Sequence, residues 1–209
     1  MKKGQKISAK SAKGGKADRR AQILSATEKL IRSRGLSSVT TRAIAVEAGC
    51  SEGALYVHFN GRLDLFLTVL EESLPDMVGP LRALEDAVGT ATPEHNLHKA
   101  LLAVFSFQKR VTPMLGGLFA EPELLMAYRK SLLEGGKGPH GGISRLREYI
   151  CREQELRRIH SSIDAEIAAT ILMAFSQFQV FMQELFGHAV GFDRLSKRLV
   201  SAVLSSRGS

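Results

Sequence analysis

The hydrogen-bonding side chains within residues 39–62, VTTRAIAVEAGCSEGALYVHFNGR, are of the types and spacing that grip phosphate rather than cut a bond. Thr40 and Thr41 place hydroxyls at the start of one short segment with an apolar stripe, and Ser51 does the same at the start of the next. A hydroxyl there can donate to a phosphate oxygen while the helix N-terminus adds free amides and the positive end of its dipole. Arg42, Tyr56, His58 and Arg62 edge the same stretch. Two short helices joined by a tight turn and rimmed with such groups make a device for reading DNA. No rival chemistry is spelled out elsewhere. GGLFAE and GGKGPHGG lack the Gly-Lys-Ser/Thr of a phosphate loop, no GxSxG occurs, and no Cys/His constellation stands out, so an enzyme is not expected. His95, His98, His140, His160 and His188 form no HxxxH or HExxH pattern, so no metal and no other cofactor is expected.

The elements that must hold these groups follow from periodicity. Thr40 is a good N-cap for a helix over 41–48, in which Ile44, Ala45 and Ala48 make one apolar stripe. Gly49 closes it, because glycine enters the left-handed conformation without steric cost. Ser51 caps a second helix over 52–59, with Leu55 and Phe59 inward and Glu52, Gly53, Ala54, Tyr56, Val57 and His58 left for the outer side. A preceding helix over 20–35 carries Ile23, Leu24, Thr27, Leu30 and Ile31 on one face and ends at Gly35.

Thr40, Thr41, Ile44, Ala45, Ala48, Gly49, Ser51, Gly53, Leu55, Tyr56, His58, Phe59 and Leu65 sit at the spacing of TTxxIAxxAGVSxGxLYxHFxxKxxL, and this segment resembles the N-terminal signature of the tetracycline-repressor (TetR) family of bacterial transcriptional regulators. The likeness covers residues 19–70. It implies that Tyr56 and His58 reach phosphate oxygens, although in an arbitrary protein both would pass for half-buried helix residues. It places Arg42 where a guanidinium can pair with guanine O6 and N7, with phosphate contact or solvent as the plainer alternatives. Glu52, Gly53 and Ala54 fall at the end of the recognition helix that enters the major groove, where Glu52 could accept from cytosine N4 or merely repel phosphate. Two positions depart from the pattern. Arg62 replaces the usual lysine, keeping a phosphate-binding charge and adding bidentate geometry, and Cys50 replaces a valine-like residue as a small hydrophobe.

Charge supports the same end of the chain. Residues 1–64 hold 13 Lys and Arg against 5 Asp and Glu, whereas residues 65–209 hold 16 of each, so the whole net charge of +8 lies on the DNA-reading side. Such an excess supplies counterion-release affinity for a polyanion. Residues 1–17, rich in Lys, Gly and Ser, are expected to be a disordered basic tail, either solvated or laid along a groove. With 44% hydrophobic and 24% charged residues, no signal-peptide core and no uninterrupted apolar run of 18, the expectation is a cytoplasmic protein with no membrane partner. Cys50 and Cys151 lie in unrelated segments and read as two reduced thiols.

Beyond the motif the pattern is all-α. Helices are expected over 63–74, 81–88, 93–111, 113–119, 122–134, 143–155, 163–186 and 192–204. A break is expected at Pro75, Gly79 and Pro80, another at Thr112 and Pro113, a loop over 135–142, and a cap from Ser161 or Ser162. The helix over 163–186 is apolar on more than one face, through Ile163, Ile167, Ile171, Leu172, Met173, Phe175, Phe178, Phe181, Met182, Leu185 and Phe186, so it needs cover from two sides. Its own chain can supply one side and a homodimer partner is the natural cover for the other, with a buried central helix of a monomer as the plainer alternative; the family resemblance implies a four-helix dimer bundle built with the last helix. The fold expected is therefore a three-helix helix-turn-helix DNA-binding domain over 18–64, followed by a larger helical effector-binding and dimerisation domain over 65–207. The resemblance also implies a small-molecule pocket, for which Phe105, Met114, Phe119, Met126, Tyr128, Met173, Phe175 and Phe178, with Phe107 and Leu118, supply apolar side chains; at helical spacing each is equally the stuff of a plain core. The partners expected are double-stranded operator DNA, a second copy and that effector, acting on a repressor. A nucleoid-associated or division factor of the same fold, without effector, is the alternative.

Overall fold

The computed structural model describes residues 8–73, 75–135, 139–189 and 191–205. Among them there is no strand. Ten α-helices follow in order, α1 (Ser8–Arg34), α2 (Thr41–Glu47), α3 (Glu52–Tyr56), α4 (Arg62–Ser73), α5 (Pro75–Ala87), α6 (Pro93–Leu118), α7 (Pro122–Gly135), α8 (Pro139–Glu155), α9 (Ala165–Phe186) and α10 (Phe192–Ser205), with one 3-10 turn at Leu36–Ser38. The helices form two compact units. One is Met1–Glu72 together with Pro113–Tyr128; the other is Ser73–Thr112 together with Arg129–Ser209.

In the first unit, α1 packs on α2 and on the 3-10 turn, and α2 on α3. The core is built by the stripes the sequence announces: Ile23, Ile31, Ile44, Leu55, Leu65 and Phe66 are all buried. Thr27 is fully buried among them because its hydroxyl donates to the Ile23 carbonyl one turn back (2.7 Å), which removes the cost of its polarity. The expected disordered tail is corrected in part. Residues 1–7 lie outside the described residues, but α1 already begins at Ser8, since Ala and Lys are good helix formers and extending an existing helix is cheap.

The second unit is organised around α8 and α9, with α5 on α8 and α10 on α9. Glu153 of α8, fully buried, ties its core to the loop after α5. Its Oε1 accepts from the Gly89 amide (3.1 Å) and its Oε2 meets Arg158 at 3.3 Å. Asn96 adds its amide to the Ala87 carbonyl (3.1 Å) and to the Tyr149 hydroxyl (3.0 Å), so polar groups hold this loop, with Glu153 Oε2 and Arg158 Nη1 paired by charge but not by a hydrogen bond.

Four boundaries differ from the sequence expectation, for physical reasons. Pro75 opens α5 and Pro80 sits inside it, where the buried Met77, Leu81 and Leu84 keep the chain helical despite the lost amide. Pro113 likewise lies within α6 rather than opening a new helix, flanked by buried Val111, Met114 and Leu118. The glycine loop is shorter than read, since Pro139 starts α8 and only 136–138 fall outside the described residues. Asp164 caps α9, its carboxylate accepting from the Ile167 amide (2.9 Å), while Ser162 is engaged by His160.

Candidate nucleic-acid interface

Local geometry fixes the helix-turn-helix tightly. Thr40 Oγ1 accepts from the Ala43 amide (3.2 Å) to start α2, and Ser51 Oγ accepts from the Ala54 amide (3.2 Å) to start α3. Between them Gly49 takes φ +62, the left-handed conformation its lack of a Cβ permits, and the Cys50 amide closes on the Ala45 carbonyl at 2.9 Å. α3 is shorter than the expected 52–59. Its last regular residue is Tyr56, after which the His58 and Phe59 amides both reach the Leu55 carbonyl at 3.0 Å, turning the chain so that Phe59 still buries. Arg19, outside the helix pair, donates to the Gly49 carbonyl (3.3 Å), and the Arg20 guanidinium lies 5.5 Å from the Phe59 ring centroid.

The groups so positioned fall into three kinds. Thr40, Arg42, Ser51, Gly53 and Tyr56 are exposed on the rim, and Val46 and Val57 are exposed apolar residues beside them. Thr41, Glu52, Ala54 and His58 are half-buried. Thr41 and Glu52 are brought together across the turn: the Thr41 hydroxyl donates to Glu52 Oε1 at 2.5 Å, so the carboxylate at the recognition helix's first residue is held and not free to swing. Arg62 is the third kind. Expected as a free phosphate donor, it is instead turned inward. Its guanidinium donates two bonds to Glu121 (2.9 and 2.6 Å) and one to the Leu36 carbonyl (2.8 Å), and lies 5.0 Å from the Phe66 ring centroid. The sequence could not show this, because Glu121 is 59 residues away.

The apolar residues expected around an effector are divided between the two units. Met114, Phe119, Met126 and Tyr128 belong to the first unit and Phe105, Met173, Phe175 and Phe178 to the second. Met114 is buried, whereas Phe119 and Met126 are exposed. Burial raises the pKa of the half-buried Tyr128 phenol. In the second unit, Phe105 is committed to a stack on Phe192 (centroids 3.9 Å, planes 7° apart), Phe178 is 54% exposed and Phe175 half-buried. Met173 alone of the four is buried. Its sulfur receives Gln108 Nε2 at 3.6 Å. Sequence reading missed what lies beside it. Gln108 and Ser176 are buried on α6 and α9, and Gln108 Oε1 and Ser176 Oγ have no hydrogen-bond partner. A polar residue on the inward face of an otherwise apolar helix is the signal that would have found them.

Residues 23–69 match the model of the bacterial regulatory proteins, tetR family. The HTH-type transcriptional repressor BepR of Brucella suis biovar 1 is 28% identical over 91% of this chain and 92% of its own length. The HTH-type transcriptional regulator TtgR of Pseudomonas putida is 34% identical over 75% of each. The nucleoid occlusion factor SlmA of Aliivibrio fischeri is 32% identical over 76% of this chain and 80% of that one.

Proposed function

The chain belongs to the tetR family of bacterial regulatory proteins and is a DNA-binding transcriptional regulator, and from that premise we propose that it is a homodimeric repressor released from its operator by a small, largely apolar effector. The observation that carries the DNA half is the exposed rim of Thr40, Arg42, Ser51 and Tyr56 over buried Ile44, Leu55 and Phe59, a rigid seat for side chains that face outward. Thr40, Ser51, Tyr56 and His58 take phosphates. Arg42, Glu52, Gly53 and Ala54 meet base edges, with Thr41 serving to aim Glu52. Residues 18–64 act as the reading head, in one compact unit with 65–72 and 113–128, and the remainder of 65–207 serves effector binding and dimerisation. Acting on chromosomal DNA, the protein works in the cytoplasm, and no catalytic step enters this reading.

The dimer is supported by α9. Ala168, Leu172, Met173, Ser176 and Val180 bury one face, while Ile167, Ile171, Phe178, Phe181 and Leu185 leave the opposite face 43–61% exposed. Such a face needs cover. By length and composition α9, at mean hydropathy 1.4, would also suit a bilayer, but Gln177, Gln179, Gln183 and Glu184 along it and the third of it already packed favour a second helix pair. Two heads then fit half-sites about one helical turn, ~34–36 Å, apart, and an effector that prefers another spacing lowers operator affinity by population shift. Gln108, Met173 and Ser176 offer the effector a soft apolar wall with two unsatisfied polar atoms, which suits a molecule carrying a hydroxyl or amine.

Selection of binding sites from a random duplex library, followed by footprinting, tests the reading: it requires a short palindrome protected on one face of the helix. The likeness to a nucleoid occlusion factor favours one rival, a DNA-bound factor with no effector. Genome-wide occupancy separates them, since a repressor occupies a few promoters and a division factor many dispersed sites.

A further inference from the structure

Arg62 and Glu121 are the place where this chain's geometry departs from what its motif implies. Arg62 is the first residue of α4, and Glu121 lies between α6 and α7, its carbonyl accepting from the Leu125 amide (2.9 Å) and its amide reaching the Leu118 carbonyl (3.1 Å). The two side chains are only 35% and 24% exposed. A forked guanidinium on a carboxylate is a strong and directional contact. Two bonds go to Glu121 and a third to the Leu36 carbonyl, which also accepts from the Val39 amide (3.2 Å) at the end of the 3-10 turn. Close packing reinforces the same contact. Gly117, one turn before Glu121, lies so near Leu36 that a Cβ added to it would stand 2.3 Å from the Leu36 Cβ, and Leu36 itself is buried. Pro113–Tyr128 is accordingly one compact body with the helix-turn-helix.

We propose that Glu121 is a positioning residue for DNA binding: it withdraws Arg62 from the phosphate backbone and makes it a strut between the start of α4, the turn Leu36–Ser38 and the α6–α7 junction. The inference rests on the DNA-binding reading above and adds a residue outside the head to it. With its charge matched by a carboxylate and both terminal nitrogens engaged, though its buried Nε has no partner, Arg62 releases no counterion when the head docks. The strut acts on what the head presents, because Val39 and Thr40, directly after the anchored turn, set the entry of α2. Pro113–Tyr128 thereby sets the seat of the reading helices.

The test is the salt dependence of operator binding by the full chain. It is measured by fluorescence anisotropy on a labelled, library-selected duplex and on a scrambled duplex, for the wild type, Arg62→Ala, Glu121→Gln and the double variant. Each phosphate neutralised contributes about 0.9 to the slope of log affinity against log salt. Arg62→Ala is expected to leave the slope unchanged while lowering the cognate-to-scrambled affinity ratio. Glu121→Gln, which keeps the carboxyl's shape but frees the guanidinium, is expected to steepen the slope by about one per head and lower the same ratio; the double variant returns to the wild-type slope. A slope that falls by about one per head in Arg62→Ala shows Arg62 to be a phosphate ligand and overturns the proposal. Slopes and ratios unchanged in both single variants overturn it as well, because nothing is then positioned. If Arg62→Ala does not fold, Glu121→Gln decides alone. Should the wild type show no salt-dependent binding to any duplex, the DNA-binding reading itself fails, an outcome distinct from the others.

Discussion

Arg42 and Tyr56 are both exposed on the rim, yet they should fail differently when removed. A phenolic hydroxyl on a phosphate holds register and carries no base information, so Tyr56→Phe is expected to weaken cognate and mutated operators by the same factor. A guanidinium on a guanine edge discriminates, so Arg42→Ala is expected to cost ~1–3 kcal/mol on the cognate operator and to flatten preference at one symmetric pair of positions. Titration of both variants against an operator library checks this. If Arg42→Ala weakens every sequence alike, Arg42 is a phosphate clamp and base reading falls to Glu52 and its neighbours. Gly49 supports all of them by its backbone alone. With φ +62 and open space around its missing Cβ, Gly49→Ala carries no clash and only the left-handed penalty, about 1–2 kcal/mol, readable as a lower melting temperature.

Elements differ in how legible they were, and the difference has a cause. α2 and α3 could be read from caps and a glycine because every determinant is local: Thr40, Gly49 and Ser51 lie within twelve residues and act on their own backbone. Pro80 and Pro113 misled because a proline's cost of ~3 kcal/mol is a local quantity, while the burial that offsets it, at Leu81 or Met114, depends on partners far along the chain. The effector residues were legible only as apolar. Periodicity counts hydrophobic residues and cannot say which of Met173 and Phe178, five apart on α9, faces in. The same helix pair yields a prediction that needs no ligand. If Gln108 Oε1 is unsatisfied because it awaits an effector, Gln108→Leu should raise the melting temperature of the free protein, equivalent to ~1–3 kcal/mol, and abolish any stabilisation by a hydroxyl-bearing probe such as 4-tert-butylphenol. A lower melting temperature would show the amide to be a structural group. Glu153 is the contrasting case. It is buried with its charge met, and Glu153→Ala should cost ~3–5 kcal/mol by leaving Arg158 and the Gly89 amide without it, measured by urea unfolding.

For the whole molecule the question is what the exposed face of α9 does, since DNA reading by a three-helix head is weak unless two heads act together. Phe178 lies on the exposed face and Val180 on the buried one, two residues apart, so the pair separates assembly from folding. Val180→Glu places a carboxylate in the core and should unfold the chain. Phe178→Glu leaves that core intact, so it should give a folded monomer with native helix content by circular dichroism. Its consequences for DNA follow from counting phosphates. If a dimer neutralises ~6–10 of them, its affinity falls ~10³–10⁵-fold between 50 and 200 mM salt. A monomer holding one head should show half that slope and no requirement for the second half-site. Sedimentation velocity at micromolar concentration and titrations on full and half operators read both effects from one preparation. A Phe178→Glu protein that still sediments as a dimer and keeps the full slope would move the interface off this face of α9, and with it the geometry by which an effector could separate the heads.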